Sequence, residues 1–141
     1  MREIRKLIVH CSATREGQEI SAATINTWHL KRGWSGIGYH FVIGLDGTIE
    51  YGRPLEKTGA HTKGYNRSSI GICYIGGVES ERVDGKWIPK DTRTCEQKES
   101  LKLLLKTLLR LHPGAVIHGH RDFANKACPS FDATEEYKHL S

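Results

Sequence analysis

Apolar residues in this chain of 141 residues occur in short runs that have the composition of buried strands. The first run is β-branched and apolar at its centre, which predicts a strand buried on both faces and ending at His10. A tight turn at Asp46-Gly47 predicts a hairpin, because both positions of such a turn need positive φ. The segments predicted to form strands are 4–10, 38–52 (as the hairpin), 69–76 and 115–118.

Helical spacing of apolar residues begins after Ser21. The Ser21 side chain is a suitable N-cap, and Gly33 is a suitable end. Between them, Ile25 and Trp28 are predicted to contact the core. This segment is therefore predicted to be the first helix.

A second helix is predicted after Thr94, which can form a capping box with Gln97. Its leucines recur at helical spacing, with basic residues on the opposite side. Asp132 and Glu135 then predict the cap of a short terminal helix. The leucines concerned are Leu101, Leu104, Leu105 and Leu108.

The order strand, helix, hairpin, strand, helix, strand, helix predicts an α/β fold with a central mixed β-sheet flanked by helices. Residues 53–68 and 77–91 have no periodicity and are predicted to be a long, functional loop and a polar connection. Ligands of such folds bind beyond the carboxyl ends of strands. His10 follows one predicted strand, and the segment 118–120 with its two histidines follows another, so we expect them to meet.

The composition narrows the class of protein. The length fits a single domain, residues 1–141, and 21 Lys and Arg against 16 Asp and Glu give a net charge of +5. No apolar run approaches the roughly 18 residues of a membrane span, and residues 1–17 lack the pattern of a signal peptide. We therefore expect no membrane insertion and a cytoplasmic location at synthesis. The charge favours an anionic partner, but no helix-turn-helix or aromatic signature supports nucleic acid.

Four cysteines are spaced too widely and irregularly to predict a disulfide framework. Cys11 and Cys73 lie in apolar runs and are predicted to be buried free thiols. Because the chain has no CxxC pair, any metal site must be assembled from distant segments. Three histidines on or beside predicted helices, His29, His112 and His139, are expected to be solvated.

Separated histidine and cysteine residues have the chemistry of a catalytic zinc site, which takes three protein ligands and keeps a fourth position for water. His10 and Cys128 are two candidates. The third is either His118 or His120, because residues two apart share one face of a strand. The alternative is that these histidines are structural, and the residues alone support both interpretations about equally.

Six motifs occur in a characteristic order: VHCSAT (9–14), GYHF (38–41), GAHTKGYN (59–66), SIGI (69–72), GHRD (119–122) and KACPSF (126–131). They resemble the zinc-dependent N-acetylmuramoyl-L-alanine amidases of the type 2 family. The resemblance covers nearly the whole chain. It is closest to the phage lysozyme-amidases and extends to the peptidoglycan recognition proteins.

The resemblance implies a role for seven residues. Without it, Tyr39 would be read as an ordinary sheet aromatic and Lys126 as a solvated cation. By position in the motifs, the residues assigned are His10, His120 and Cys128 as ligands of one Zn²⁺, Tyr39 and Lys126 as catalytic residues, and His61 and Asn66 as substrate-binding residues.

The implied reaction is hydrolysis of the amide bond between N-acetylmuramic acid and L-alanine in peptidoglycan. The expected enzyme is a monomer that acts on the cell wall after release or lysis. One alternative is a peptidoglycan-binding module without catalysis, against which the presence of Cys128 argues. Another is a regulator that also binds a phage RNA polymerase, as some of the lysozyme-amidases that the chain resembles do.

Overall fold

The computed structural model describes residues 2–140. At its centre is a five-stranded mixed sheet. Its strands are β1 (Lys6–Cys11), β3 (Phe41–Ile43), β4 (Ile49–Tyr51), β5 (Ser69–Tyr74) and β7 (Val116–Gly119). The strand order is β4-β3-β5-β1-β7; β3, β5, β1 and β7 are parallel, and β4 pairs antiparallel with β3. The predicted mixed α/β architecture is confirmed.

Successive residues of each strand point to opposite faces of the sheet, so the sheet has apolar side chains on both faces. Helices cover both faces. The helices are α1 (Ala22–Lys31), α2 (Cys95–Leu111) and α3 (Ala133–Tyr137). Leu7 and Val9 of β1 pack in one core with the leucines of α2 and with residues of α3. A smaller core under α1 contains Ile25 and, from β3, Val42. His10 belongs to the α1 face of β1, since its neighbours Val9 and Cys11 pack on the other face.

The three helices begin at the residues that the sequence predicts. Ser21 Oγ accepts the backbone N–H of Thr24, and Asp132 Oδ1 accepts the backbone N–H of Glu135. Both hydrogen bonds of the capping box of α2, between Thr94 and Gln97, are also present. None of the helices within residues 2–140 combines the length and the apolar composition of a membrane span.

Two predictions for α1 are wrong. Trp28 is 36% exposed and is not part of either core, whereas His29, expected in solvent, is buried. His29 Nδ1 accepts the backbone N–H of Gly38 at 2.9 Å, and its ring lies 4.5 Å from that of Trp34. The helix turns a histidine inward because the imidazole nitrogen supplies an acceptor that the following loop needs.

The connection after β5 is more ordered than a polar linker. Strands β2 (Thr14–Arg15) and β6 (Gly77–Val78) form a small parallel sheet. The chain then makes a hairpin-like excursion, in which Val83 and Lys86 exchange backbone hydrogen bonds. Its turn is Asp84-Gly85, and both residues have positive φ. The Asp84-Gly85 dipeptide is a hairpin signal in the sequence. The hairpin was not predicted because the residues on either side lack the alternation of apolar and polar positions that marks a strand.

Candidate metal centre and active site

Three candidate ligands lie together at the carboxyl end of the sheet. The ligand atoms of His10, His120 and Cys128 all lie within 4.8 Å of one another. His10 is the penultimate residue of β1, and His120 directly follows β7. These strands are parallel neighbours with Val9 opposite Gly119, so their ends place the two imidazoles side by side, with ring centroids 4.5 Å apart.

His118 is held away from this group. Its Nδ1 lies 3.6 Å from an Asp122 carboxylate oxygen, and its ring packs against Phe123 with centroids 5.0 Å apart. His118 belongs to β7, whereas His120 begins a 3-10 turn. The change from strand to turn therefore separates two histidines that strand geometry alone would put on one face.

Cys128 lies on a loop that is fixed on both sides. Its Sγ accepts the backbone N–H of Cys11 at 3.2 Å and lies 3.8 Å from His10 Nδ1. The next residue, Pro129, accepts a hydrogen bond from the Tyr74 hydroxyl at 2.6 Å. Contact with the Cys11 thiol, together with burial, raises the pKa of Cys128. A thiol in this setting becomes a thiolate when a cation compensates its charge.

His10 is oriented by a chain of buried polar side chains. Its Nε2 lies 2.8 Å from His61 Nδ1, and His61 Nε2 lies 3.2 Å from Ser69 Oγ. Burial is the main cause that lowers the pKa of His10, and burial also lowers that of His61 to about 3. Both imidazoles are therefore neutral at physiological pH, the form in which histidine binds a metal.

Asn66 shapes the loop that carries His61. Its Oδ1 accepts the backbone N–H groups of His61 and Thr62, both at 2.9 Å. The Thr62 hydroxyl in turn lies 3.0 Å from His61 Nδ1. Sequence reasoning missed the supporting roles of Thr62 and Ser69, since hydroxyl residues in polar segments carry no distinctive pattern.

A cavity of about 630 Å³ opens beside His120, one of the three candidate ligands. Its lining includes Trp34, His61, Asn66, His120, Phe123 and Lys126. The Tyr39 ring lies 5.0 Å from the His10 ring. Burial raises the pKa of the Tyr39 phenol well above its ordinary value, so the hydroxyl keeps its proton. The structure thus gathers the seven residues assigned from the motifs around one centre.

A His-His-Cys donor set at the carboxyl edge of a mixed α/β sheet, beside an open cavity, defines the class of a hydrolase with a candidate metal centre. The chain belongs to the N-acetylmuramoyl-L-alanine amidase family, whose model matches residues 1–131. This confirms the resemblance carried by the six motifs. The chain is an amidase that cleaves the bond between N-acetylmuramic acid and L-alanine of peptidoglycan.

Individual relatives agree with this family. The chain is 45% identical over 127 residues to the endolysin of Escherichia phage T7, covering 89% of this chain and 80% of that protein. The solved structure of the amidase LysC from Clostridium intestinale matches 99% of this chain and 86% of its own, with a TM-score of 0.81 at 29% identity. Drosophila PGRP-LB matches 98% of this chain and 81% of its own, with a TM-score of 0.77 at 26% identity.

Proposed function

We propose that the amidase depends on one zinc ion held by His10, His120 and Cys128. The observation that carries this proposal is the clustering of the three donor atoms within 4.8 Å at the edge of the cavity. Two neutral imidazoles and one thiol suit zinc, and a set of three leaves a fourth position for water. The His10–His61 hydrogen bond occupies Nε2 and leaves Nδ1 on the side of Cys128.

The protein residues around the centre suit amide hydrolysis. A zinc ion bound there would lower the pKa of its water and polarise the carbonyl of the substrate. Lys126 lines the cavity, and its ammonium group would stabilise the oxyanion that develops on the lactyl carbonyl oxygen. The protonated Tyr39 phenol would donate a hydrogen bond that orients the attacking water. His61 and Asn66 also line the cavity, where they would contact the muropeptide as well as shape the loop.

The test compares two cysteine variants. Cys128→Ser should lose bound zinc, measured by elemental analysis, and should no longer release stem peptides from peptidoglycan. Cys95→Ser is the matched control, because Cys95 is an exposed free cysteine on α2. It should retain one zinc per chain and full activity. A Cys128→Ser protein with wild-type zinc content and turnover would overturn the proposed ligand set.

The proposal includes the assembly and place of action of the enzyme. We infer a single catalytic domain that works as a monomer on the cell wall after release. Light scattering of the active protein tests the monomeric state directly.

A second partner, a phage RNA polymerase, is a separate prediction of the resemblance. If the tagged chain co-purifies with that polymerase, and the Cys128→Ser variant does so equally well, binding of the polymerase is established as a function separate from catalysis.

A further inference from the structure

A second cavity, of about 470 Å³, lies between β2, α1 and the hairpin that follows β6. The amidase centre described above uses none of its side chains. Its lining includes Arg15, Gln18, Trp28, Arg82 and Trp87. These residues come from three separate elements, so the fold assembles the cavity from distant parts of the chain.

Two partly exposed indoles give this cavity apolar surface. Trp28 is 36% exposed and Trp87 is 42% exposed. Trp28 follows the apolar spacing of α1 but does not join the core, and Trp87 extends from the hairpin. Exposed aromatic side chains in a concave, polar-rimmed surface are typical of binding sites. A sugar ring, which has an apolar face and a polar edge, matches such a surface.

Two guanidinium groups in the same cavity lack acidic partners. Within residues 2–140, neither Arg15 nor Arg82 forms an ion pair. Arg15 Nε donates to Gln18 Oε1 at 3.3 Å, and the Arg82 guanidinium lies 5.0 Å from the Trp87 ring centroid.

Two acidic residues near these arginines are held by a lysine. Glu16 and Glu79 lie 2.8 Å and 3.9 Å from Lys90 Nζ. Their charges are therefore directed to that lysine, and neither Arg15 nor Arg82 pairs with them. A guanidinium group pairs best with a carboxylate, which it can bind through two parallel hydrogen bonds.

The reaction itself creates a ligand with both features. Hydrolysis breaks the C–N bond of the lactyl amide; the water oxygen joins the carbonyl carbon, and a proton goes to the departing L-alanine amine. A neutral amide on each muramic acid thus becomes a carboxylate on a sugar chain. The substrate glycan is uncharged at this position, whereas the product glycan is anionic.

We propose that this cavity binds the glycan product of the amidase, with the indoles against sugar rings and with Arg15 and Arg82 on the lactyl carboxylate. The proposal rests on the proposed function, because that reaction generates the carboxylate. The cavity is close to the centre: Ala13 lines it and lies two residues beyond Cys11, whose N–H bonds Cys128 Sγ. Two residues of chain span at most roughly 7 Å, and the left-handed φ of Ala13 makes the actual span shorter. The enzyme would thus stay on a glycan strand from which it has already removed some of the peptides.

The experiment measures binding to glycan strands from which the peptides have been removed by an unrelated amidase. The comparison ligand is the same material after its carboxylates have been converted to primary amides. Wild-type protein should bind the carboxylate form about tenfold more tightly, the effect expected of a charged hydrogen-bonded pair. The double variant Arg15→Gln, Arg82→Gln should lose this preference, and Trp87→Ala should weaken binding to both forms.

A double variant on the exposed face of α2, Lys102→Gln with Lys106→Gln, is the control for net charge. It should keep the wild-type preference. Equal binding of both ligands by wild-type protein would overturn the proposal, as would an unchanged preference in the arginine variant. Release of stem peptides by the same wild-type preparation is measured in parallel. Failure of that release contradicts the proposed function, whereas a missing carboxylate preference with intact release contradicts only the glycan site.

Discussion

Neutral imidazoles packed against one another are the central feature at the scale of single residues. His10 contacts the rings of His61 and His120 with centroids 4.9 Å and 4.5 Å apart. Burial and mutual repulsion of the charged forms lower the pKa of His10, so one ring nitrogen of the neutral imidazole keeps its lone pair for a metal. Gly71 makes this packing possible, because a Cβ there would lie only 2.6 Å from His61 ring atoms.

Lys126 is expected to act on the transition state rather than on the metal. Lys126→Met should lower kcat by about 100-fold or more, the usual effect of removing an oxyanion-stabilising group. The zinc content should stay the same. Steady-state kinetics on a soluble muropeptide measure the effect, with Lys63→Met as the control, since Lys63 also lines the cavity. An unchanged kcat in Lys126→Met would remove Lys126 from the catalytic residues.

His29 should make folding stability depend on pH. Burial is the main cause that lowers its pKa to about 4 in the folded protein, against about 6.5 in an unfolded chain. The unfolded state therefore binds more protons between these values, and stability falls as the pH drops from 7 to 5, by about 1 to 2 kcal/mol from this group.

Urea unfolding at the two pH values measures this dependence. The His29→Gln variant should lose less stability between pH 7 and pH 5 than the wild type. His139→Gln, at an exposed position, should behave like the wild type. An identical pH dependence in His29→Gln would show that His29 is protonated equally in both states.

At the scale of elements, the N-terminus of α2 connects local sequence to the sheet. Thr94 Oγ1 accepts the Gln97 N–H at 3.0 Å, and Gln97 Oε1 accepts the Thr94 N–H at 2.9 Å. Gln97 Nε2 also donates to the carbonyls of Ile43 and Ile75. The capping box therefore fixes the helix and closes the ends of two strands.

Removal of the cap should destabilise the whole fold. Thr94→Ala should lower the free energy of unfolding by about 1 kcal/mol or somewhat more, because Thr94 Oγ1 also donates to Leu45 O. Thr107→Ala, on the exposed part of the same helix, is the control. Chemical denaturation measures both variants. Equal stabilities of the two variants would argue against a structural role for the capping box.

Elements with local signals could be predicted from the sequence. The hairpin around Asp46-Gly47, the caps and the leucine spacing of α2 each depend on neighbouring residues, and all are present. The turn itself differs from the prediction, because Gly47 has positive φ and Asp46 does not. The orientation of Trp28 and His29 could not be predicted, because it depends on the loop that α1 packs against. The small sheet of β2 and β6 was missed for the same reason: its two-residue strands pair across distant segments.

The candidate centre was predictable only in part. The residue types suggested a metal site, but the choice of His120 over His118 came from family motifs. The structural reason is the end of β7 at Gly119, which periodicity does not fix to one residue. The support of His10 by His61 was also beyond sequence reasoning, since it joins β1 to a long loop without periodicity.

At the scale of the whole molecule, the net charge of +5 should hold the enzyme near an anionic wall. Binding of the protein to purified cell walls should weaken as salt is raised, because salt screens exposed charges. Sedimentation of walls with bound protein over a salt series measures this. Binding that is indifferent to salt would show that contacts other than the net charge retain the enzyme.

Zinc-dependent cleavage of one defined bond is the central claim, and mass spectrometry of peptidoglycan digested in ¹⁸O-water tests it most directly. The zinc-loaded enzyme should release stem peptides with a free L-alanine amine and leave one ¹⁸O atom in each lactyl carboxylate. Chelation should abolish both products, and added zinc should restore them. Cleavage that persists after complete metal removal, or label at a glycosidic carbon instead, would contradict the account.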